Sequence, residues 1–323
     1  MKKPLGGIKG ALPIRSSGRW NLMDRFAGRL FSPIVASGGD TVADVQIGGI
    51  LYRIHVFTTV GSSQAFEVQT LGTSEARVDC LIVAGGGGGD SRHQGGGGAG
   101  GVVFKENVSA FVANYPVVVG NGGIGESANL ADNSTNGGNS SVFGLTALGG
   151  GAASTNGGSG GGGFSTNIGL GLQPTLPSGG FGNDGGTGTS GNPYAAGGGG
   201  GAGGPGGTTT SYSSAEADGG DGGPGKDYSA YFGTSFGENG WFGGGGGGGG
   251  DEDGRSVGGQ GGIGGGGNGY GNDTSSPGYP TGDDGLPNTG GGGGGAAFES
   301  GVNFKSGDGG SGIVIIRYPL VPV

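Results

Sequence analysis

Few residues of this chain have the types and spacing that catalysis requires. Residues 220–227, GDGGPGKD, satisfy the Gly-x4-Gly-Lys spacing of a phosphate-cradling loop, but Asp227 stands where a Ser or Thr would hold magnesium, and no helix-forming segment follows. The string GGSGG at 157–161 matches a nucleophile elbow yet lacks the strand-turn-helix context of one. His55 lies in a strand pattern and His93 in a glycine-flanked loop, neither with a Cys or His at zinc-ligand spacing. Asp251, Glu252, Asp253, Asp283 and Asp284 carry oxygen ligands suited to calcium but no spaced ligand loop, and read as solvated turns. Cys80, the sole cysteine, sits in an apolar run and reads as a small core residue. The expectation is a non-enzymatic protein with no catalytic residue, metal or cofactor, whose chemistry is recognition.

Recognition chemistry is concentrated in loops. KDYSAYFGTSFGENGWF (226–242) and NGYGNDTSSPGYPTGDDGLPN (268–288) mix aromatics with Ser, Asn, Gly and Asp, as antibody loops do: rigid amphipathic anchors beside adaptable polar groups. Tyr228, Tyr231, Phe232, Phe236, Trp241, Tyr270 and Tyr279, with Tyr194 from the loop at 189–196, are the candidate receptor-binding residues. The alternative is that these aromatics cap the structure beneath them.

A second candidate surface is the N-terminal arm, residues 1–38. Seven basic residues against Asp24 make the first thirty residues +6, so the overall −9 leaves −15 for the rest. The body is thus no nucleic-acid binder. Trp20, Met23, Phe26 and Leu30 recur at roughly helical spacing, so a short helix that docks onto an acidic partner is expected, with Lys9, Arg15, Arg19, Trp20, Arg25 and Phe26 as attachment residues. A mobile tail is the alternative. The start, MKKP, lacks a signal-peptide apolar core, and no run reaches a membrane span.

What could hold such loops in place is not obvious from composition. Gly and Pro, 97 and 14 of 323 residues, make up about a third of the chain, a proportion that normally signals low complexity. Against this stand 14 Phe, 9 Tyr and 2 Trp with only 12% charged residues, whereas disordered chains are charge-rich and aromatic-poor. TVADVQI, ILYRIHVFT, AFEVQT, VDCLIVA, GVVFKENV, YPVVVG and SVFGLTAL, all between 39 and 148, read as strands. The run SGIVIIRYPL at 311–320 is apolar on both faces and wants partners, so it is expected to join that sheet. Residues 39–148 with 311–323 then form a β-sandwich base.

Between them, residues 149–310 show period three. Ala202, Pro205 and Thr208, then Asp218, Asp221, Pro224 and Asp227, then Val257, Gln260 and Ile263 interrupt glycine at every third position. A polyproline II helix has three residues per turn, so Gly-Gly-x puts each x on one face and bare backbone on the other two. Such helices have no internal hydrogen bonds, and a bundle must satisfy each amide laterally, at a spacing that only glycine permits. The eight glycines 243–250, about 25 Å long at ~3.1 Å per residue, have no outward residue and belong in the middle. Candidate helices lie near 85–89, 95–101, 120–125, 157–163, 179–188, 197–207, 218–225, 243–250, 258–267 and 290–295. If each reverses direction, 152–156, 189–196, 226–241 and 268–289 fall together at the far end.

VDCLIVAGGGGG, YPVVVGNGG, GNSSVFGLTALGGGA and the closing GGSGIVIIRY resemble the glycine-rich domain of bacteriophage tail proteins, and the whole of 76–318 is similar to the receptor-binding adhesin at the tail-fibre tip of T-even-type phages. The resemblance implies an all-β base carrying a sandwich of polyglycine helices with almost no α-helix. It also implies a virion location, a host cell-surface receptor (outer-membrane protein or polysaccharide) held by the connecting loops, and attachment to a tail-fibre or other virion protein.

Overall fold

In the computed structural model, the described residues are 31–321 without 73–75, 92–94, 127–132, 192, 212–215, 252–255, 272–280 and 297–304. The fold is all-β: of the described residues, 31% are strand and 3% helix. Nine strands come first: β1 (Val35–Ser37), β2 (Thr41–Ile47), β3 (Ile50–Phe57), β4 (Gly61–Thr70), β5 (Arg77–Val83), β6 (Val102–Ser109), β7 (Ala113–Val119), β8 (Ser140–Val142) and β9 (Leu145–Ala147). Short pairs β10 (Thr210–Ser211) with β11 (Ala217–Asp218) and β12 (Lys226–Asp227) with β13 (Trp241–Phe242) follow, then the terminal β14 (Ile313–Pro319).

Two five-stranded sheets make the base, ordered β1-β4-β7-β8-β9 and β2-β3-β14-β5-β6. As its composition requires, β14 is central, pairing antiparallel with β3 and with β5. Strand alternation sends Val314, Ile316 and Tyr318 into the core between the sheets, where they meet Phe57, Phe66, Cys80 and Ile82. Ile313 and Ile315 point the other way, into a second core with Ile54, Leu81, Val83 and Val102. That second face is covered by residues 228–242. Tyr228, Phe232 and Phe242 are buried in it, and Tyr231 and Phe236 pack against it. β1 and the buried Ile34 belong to the base, which therefore begins before residue 39.

Above the base stands the glycine bundle, and its amides obey the expected period. Along one segment, Gly96 donates to Gly197 and Ala99 to Gly200; Gly97 donates to Gly293 and Gly100 to Gly290; Gly98 donates to Gly151 and Gly101 to Leu148. Every third amide meets the same neighbour, and consecutive amides meet three different ones, which is threefold helical geometry. The run 243–250 is enclosed by six segments. Its amides donate toward 264–270, Gly220 and Gly223, Gly97 and Thr289, and its carbonyls accept from Ala196, Gly199 and Ala202, from Gly259 and Gly262, and from Gly292 and Gly295. Nothing but glycine fits: a methyl on Gly246 would lie 2.1 Å from the Gly293 carbonyl oxygen.

The bundle is larger than residues 149–310. The β5–β6 and β7–β8 connections contribute 84–90, 95–101, 120–126 and 135–139. It also has reversals that glycine spacing conceals. The run 197–207 is a hairpin, closed by Gly198 donating to Gly207 and Gly201 to Gly204, so Ala202, Pro205 and Thr208 do not share one helix face. The run 258–267 turns at Gly264 and Gly265, whose φ of +102° and +95° few other residues adopt. Further segments lie at 148–153, 168–171, 281–286 and 305–312, where side chains interrupt the glycine.

At the bundle's surface, outward amides have no neighbouring helix, and Asp and Asn side chains supply the acceptor. Val257 and Gln260 amides donate to Asp218 and Asp221 Oδ1 at 2.9 and 2.8 Å. Gly171 donates to Asp184, Gly261 to Asn268 and Ala152 to Asn136 in the same way. The every-third-residue acids are thus edge acceptors, as buried or half-buried backbone donors require.

Candidate functional site

Following each segment outward from the base separates the loops into two groups. At the base lie 172–181, 203–205, 226–242, 264–265 and 286–290; at the outer end lie 164–168, 189–191, 193–195, 210–211, 216–217 and the described residues 251, 256, 271, 281, 296 and 305. Tyr194 and Tyr270, both half-buried, are at the outer end. Tyr279 lies outside the described residues, as do Lys9, Arg15, Arg19, Trp20, Arg25, Phe26 and His93.

The expectation that 226–241 joins the outer loops is overturned. The hairpin at 203–205 adds one reversal, which sends the chain back to the base at 226, and the turn at 264–265 restores the phase. Tyr228, Tyr231, Phe232, Phe236 and Trp241 therefore sit at the base. Helix α1 (Ser229–Phe232) lays Phe232 within 6.0 Å of Phe104, ring to ring, and Tyr231 at 4.6 Å. Tyr228 and Phe232, being buried, present nothing to a receptor.

Arg317, which the sequence did not single out, pins this segment. Its guanidinium pairs with Asp79 at 2.9 Å, lies 4.3 Å over the Tyr52 ring and donates to the Tyr231 carbonyl. His55 is also interior. Nδ1 is 2.7 Å from the Gly38 carbonyl and Nε2 3.1 Å from the Tyr318 hydroxyl, and burial lowers its pKa, so it is a core histidine. Burial pushes the Cys80 thiol up to about 12, leaving it inert.

Two features mark the outer end. The first is a buried acid pair, Asp90 and Glu126, bridged by Ser91, whose amide donates to Asp90 Oδ1 at 2.8 Å and to Glu126 Oε2 at 3.0 Å. Burial, reinforced by Glu126, raises Asp90 to about 8. The second is an open cleft of about 510 Å³ lined by Ser165, Thr166, Thr187, Thr189, Thr209 and Ser211 among others. Backbone bonds fix its walls: Ser165 donates to Thr189, Gly188 to Ser165, and Thr209 to Thr187. Phe164 and Tyr194, with ring centroids 6.0 Å apart, immediately flank lining residues in the chain. Ser and Thr scattered among glycines carry no spacing signal, so the sequence did not reveal this cleft.

Among the described residues no group of His, Cys, Asp and Glu could hold a metal, and no helix is long and apolar enough to cross a membrane. No match to a curated protein is found. A family model described as a glycine-rich domain matches residues 59–319, from just before β4 through the last strand of the base, and the chain belongs to that glycine-rich domain family.

Proposed function

We propose that this chain is a non-enzymatic virion protein of a bacteriophage, a tail-fibre-tip adhesin that recognises the host cell surface through the loops at the outer end of its glycine bundle. The observation that carries the reading is the polarity of the molecule. Six-sided backbone bonding makes the bundle a stiff spacer, with one group of loops at its outer end and the first and last strands of the base, β1 and β14, below its other end. Val35, at the start of β1, and Pro319, at the end of β14, both lie at the end of the base away from the bundle. The β6–β7 turn there exposes Phe111 and Val112 at 66% and 62%, beside an apolar cleft lined by Tyr115, Pro116, Phe143 and Leu145. Exposed apolar surface of that kind suits a protein partner and supports attachment to a tail-fibre or other virion protein at this end.

The test is adsorption. Purified full-length protein should bind host cells and compete with phage particles for them, and particles lacking it should fail to adsorb; normal adsorption of such particles defeats the proposal. The burial of Tyr228 and Phe232 favours a second reading, a structural virion decoration or extracellular matrix component without receptor specificity. Cell binding that disappears when the outer loops are exchanged for those of a relative excludes that reading.

A further inference from the structure

We propose that the hydroxyl-lined cleft at the outer end binds an uncharged sugar unit of a host surface polysaccharide. This rests on the adhesin reading and narrows its receptor class. Seven of its described lining residues, Ser190 included, present Ser or Thr side chains, and none of the described lining residues is charged. The Thr189 hydroxyl is engaged with the Ala195 backbone, whereas those of Ser165, Thr166, Thr187, Thr209 and Ser211 hydrogen-bond to no other described residue. A hydroxyl both donates and accepts, so a row of them matches the hydroxyls of a sugar, which do the same. The groups are also preorganised. Thr187 and Thr209 sit on adjacent helices joined by the Thr209 amide and Thr187 carbonyl at 3.1 Å, and Ser165 is joined to Thr189 at 3.0 Å. Little ordering entropy remains to be lost on binding.

Charge narrows the ligand further. The body carries −15 outside the first thirty residues, so an acidic glycan would approach against the field with no lining cation to receive it. A protein receptor is poorly matched as well, because interface cores are built on Tyr, Trp, Phe, Met and Arg, and the described lining residues include none of them. Phe164 and Tyr194, whose ring centroids are 6.0 Å apart, adjoin the lining residues Ser165 and Pro193 in sequence, and an aromatic face is of the kind a sugar's C–H face favours.

The experiment uses the full chain, its Thr187→Val, Thr209→Val double variant and a printed array of neutral and acidic bacterial O-polysaccharides and short oligosaccharides. Valine keeps each side chain's shape and removes its hydroxyl, and unchanged thermal unfolding confirms the fold. The expected result is saturable binding to at least one neutral glycan, weakened tenfold or more in the variant, with acidic glycans weaker. Binding to no neutral glycan, or binding that the double variant retains, overturns the proposal. Cell binding separates the two readings. Cells bound equally by both proteins and released by protease treatment indicate a protein receptor, which overturns the cleft proposal while the adhesin reading stands; a chain that binds neutral glycans but no cells overturns the adhesin reading alone.

Discussion

The Gly246 amide donates to the Gly97 carbonyl at 2.9 Å, and the Gly97 amide donates onward to the Gly293 carbonyl at 2.8 Å. Three segments far apart in the chain are thus joined main chain to main chain with no side chain between them. Ordering a glycine costs at least ~1–2 kcal/mol and a lateral hydrogen bond returns about 1 kcal/mol net, so no single segment holds alone. The bundle must form cooperatively, on a base whose two apolar cores fix where each segment starts.

The first prediction concerns that packing. Gly246→Ala puts a methyl 2.1 Å from the Gly293 carbonyl oxygen, and the backbone cannot yield without breaking neighbouring bonds. We expect a loss of about 3 kcal/mol, the upper range for overpacking, or failure to fold. Gln260→Ala, on an exposed position of a neighbouring segment, should change stability by about 0.5 kcal/mol or less. Equal denaturation midpoints for the two variants would refute close backbone packing.

The second concerns the surface acids. Asp221→Ala leaves the Gln260 amide, otherwise 2.8 Å from Oδ1, to water at a half-covered edge and should cost about 1 kcal/mol. Asp221→Asn keeps an acceptor oxygen and should restore most of it. Urea unfolding of the three proteins decides this. An Asn variant as weak as the Ala one would mean that the charge, not the acceptor, matters.

Much of this was legible in sequence, for identifiable reasons. Period two in 41–119 marked the strands, and the unbroken apolar run of β14 announced a strand buried on both faces. Period three at Asp218, Asp221 and Pro224 marked an exposed helix face, and the eight glycines at 243–250 are enclosed on six sides as a run without side chains must be. The reversals were not legible. At 203–205 the chain turns within glycine and proline spacing that continues the triplet, because a glycine helix and a glycine turn use the same residues. One unseen turn moved five aromatics from the outer end to the base. Arg317 was hidden for another reason: its partners Asp79 and Tyr231 are brought to it only by the sheet order and by the segment that covers the sheet's second face.

The third prediction follows from that residue. Arg317→Met strands Asp79, whose side chain is only 18% exposed, with no cation and frees the Tyr231 carbonyl. A loss of about 3–5 kcal/mol is expected, as for breaking any buried pair by removing one partner. The double variant Arg317→Met, Asp79→Leu should recover part of it. A single variant as stable as the parent would show the pair to be dispensable.

The fourth is a pH dependence with opposed signs. Asp90 in the folded chain binds its proton more tightly than the ordinary 3.8, because it is buried beside Glu126, so its contribution is full below that value and is lost as pH rises through about 8. His55 works oppositely. Burial lowers its pKa from 6.5, so its contribution is full above that value and is lost as pH falls below it. Between pH 7 and 9 the Asp90 effect stands alone of the two, and melting temperature should fall across that interval by a few degrees. Asp90→Asn should flatten the slope there and, because it also removes the opposing gain of Asp90 between pH 6.5 and 3.8, steepen the acid-side decline due to His55. An unchanged slope above pH 7 in that variant would mean that Asp90 is already ionised in the folded chain.

The fifth separates the two ends of the molecule. Phe232→Ala empties a fully buried position under α1 and should cost about 3–5 kcal/mol. Any loss of cell binding should then track the unfolded fraction and be recovered at lower temperature. Tyr194→Ala and Tyr270→Ala act at half-buried positions at the outer end of the bundle and should each leave the melting temperature within a few degrees of the parent. If the outer loops recognise the host, these two should nevertheless lower adsorption at temperatures where the fold is intact, whereas Trp241→Ala at the base should not. Adsorption that follows melting temperature across all four variants would assign these aromatics to structure alone, because a recognition residue must be able to fail without the fold failing with it.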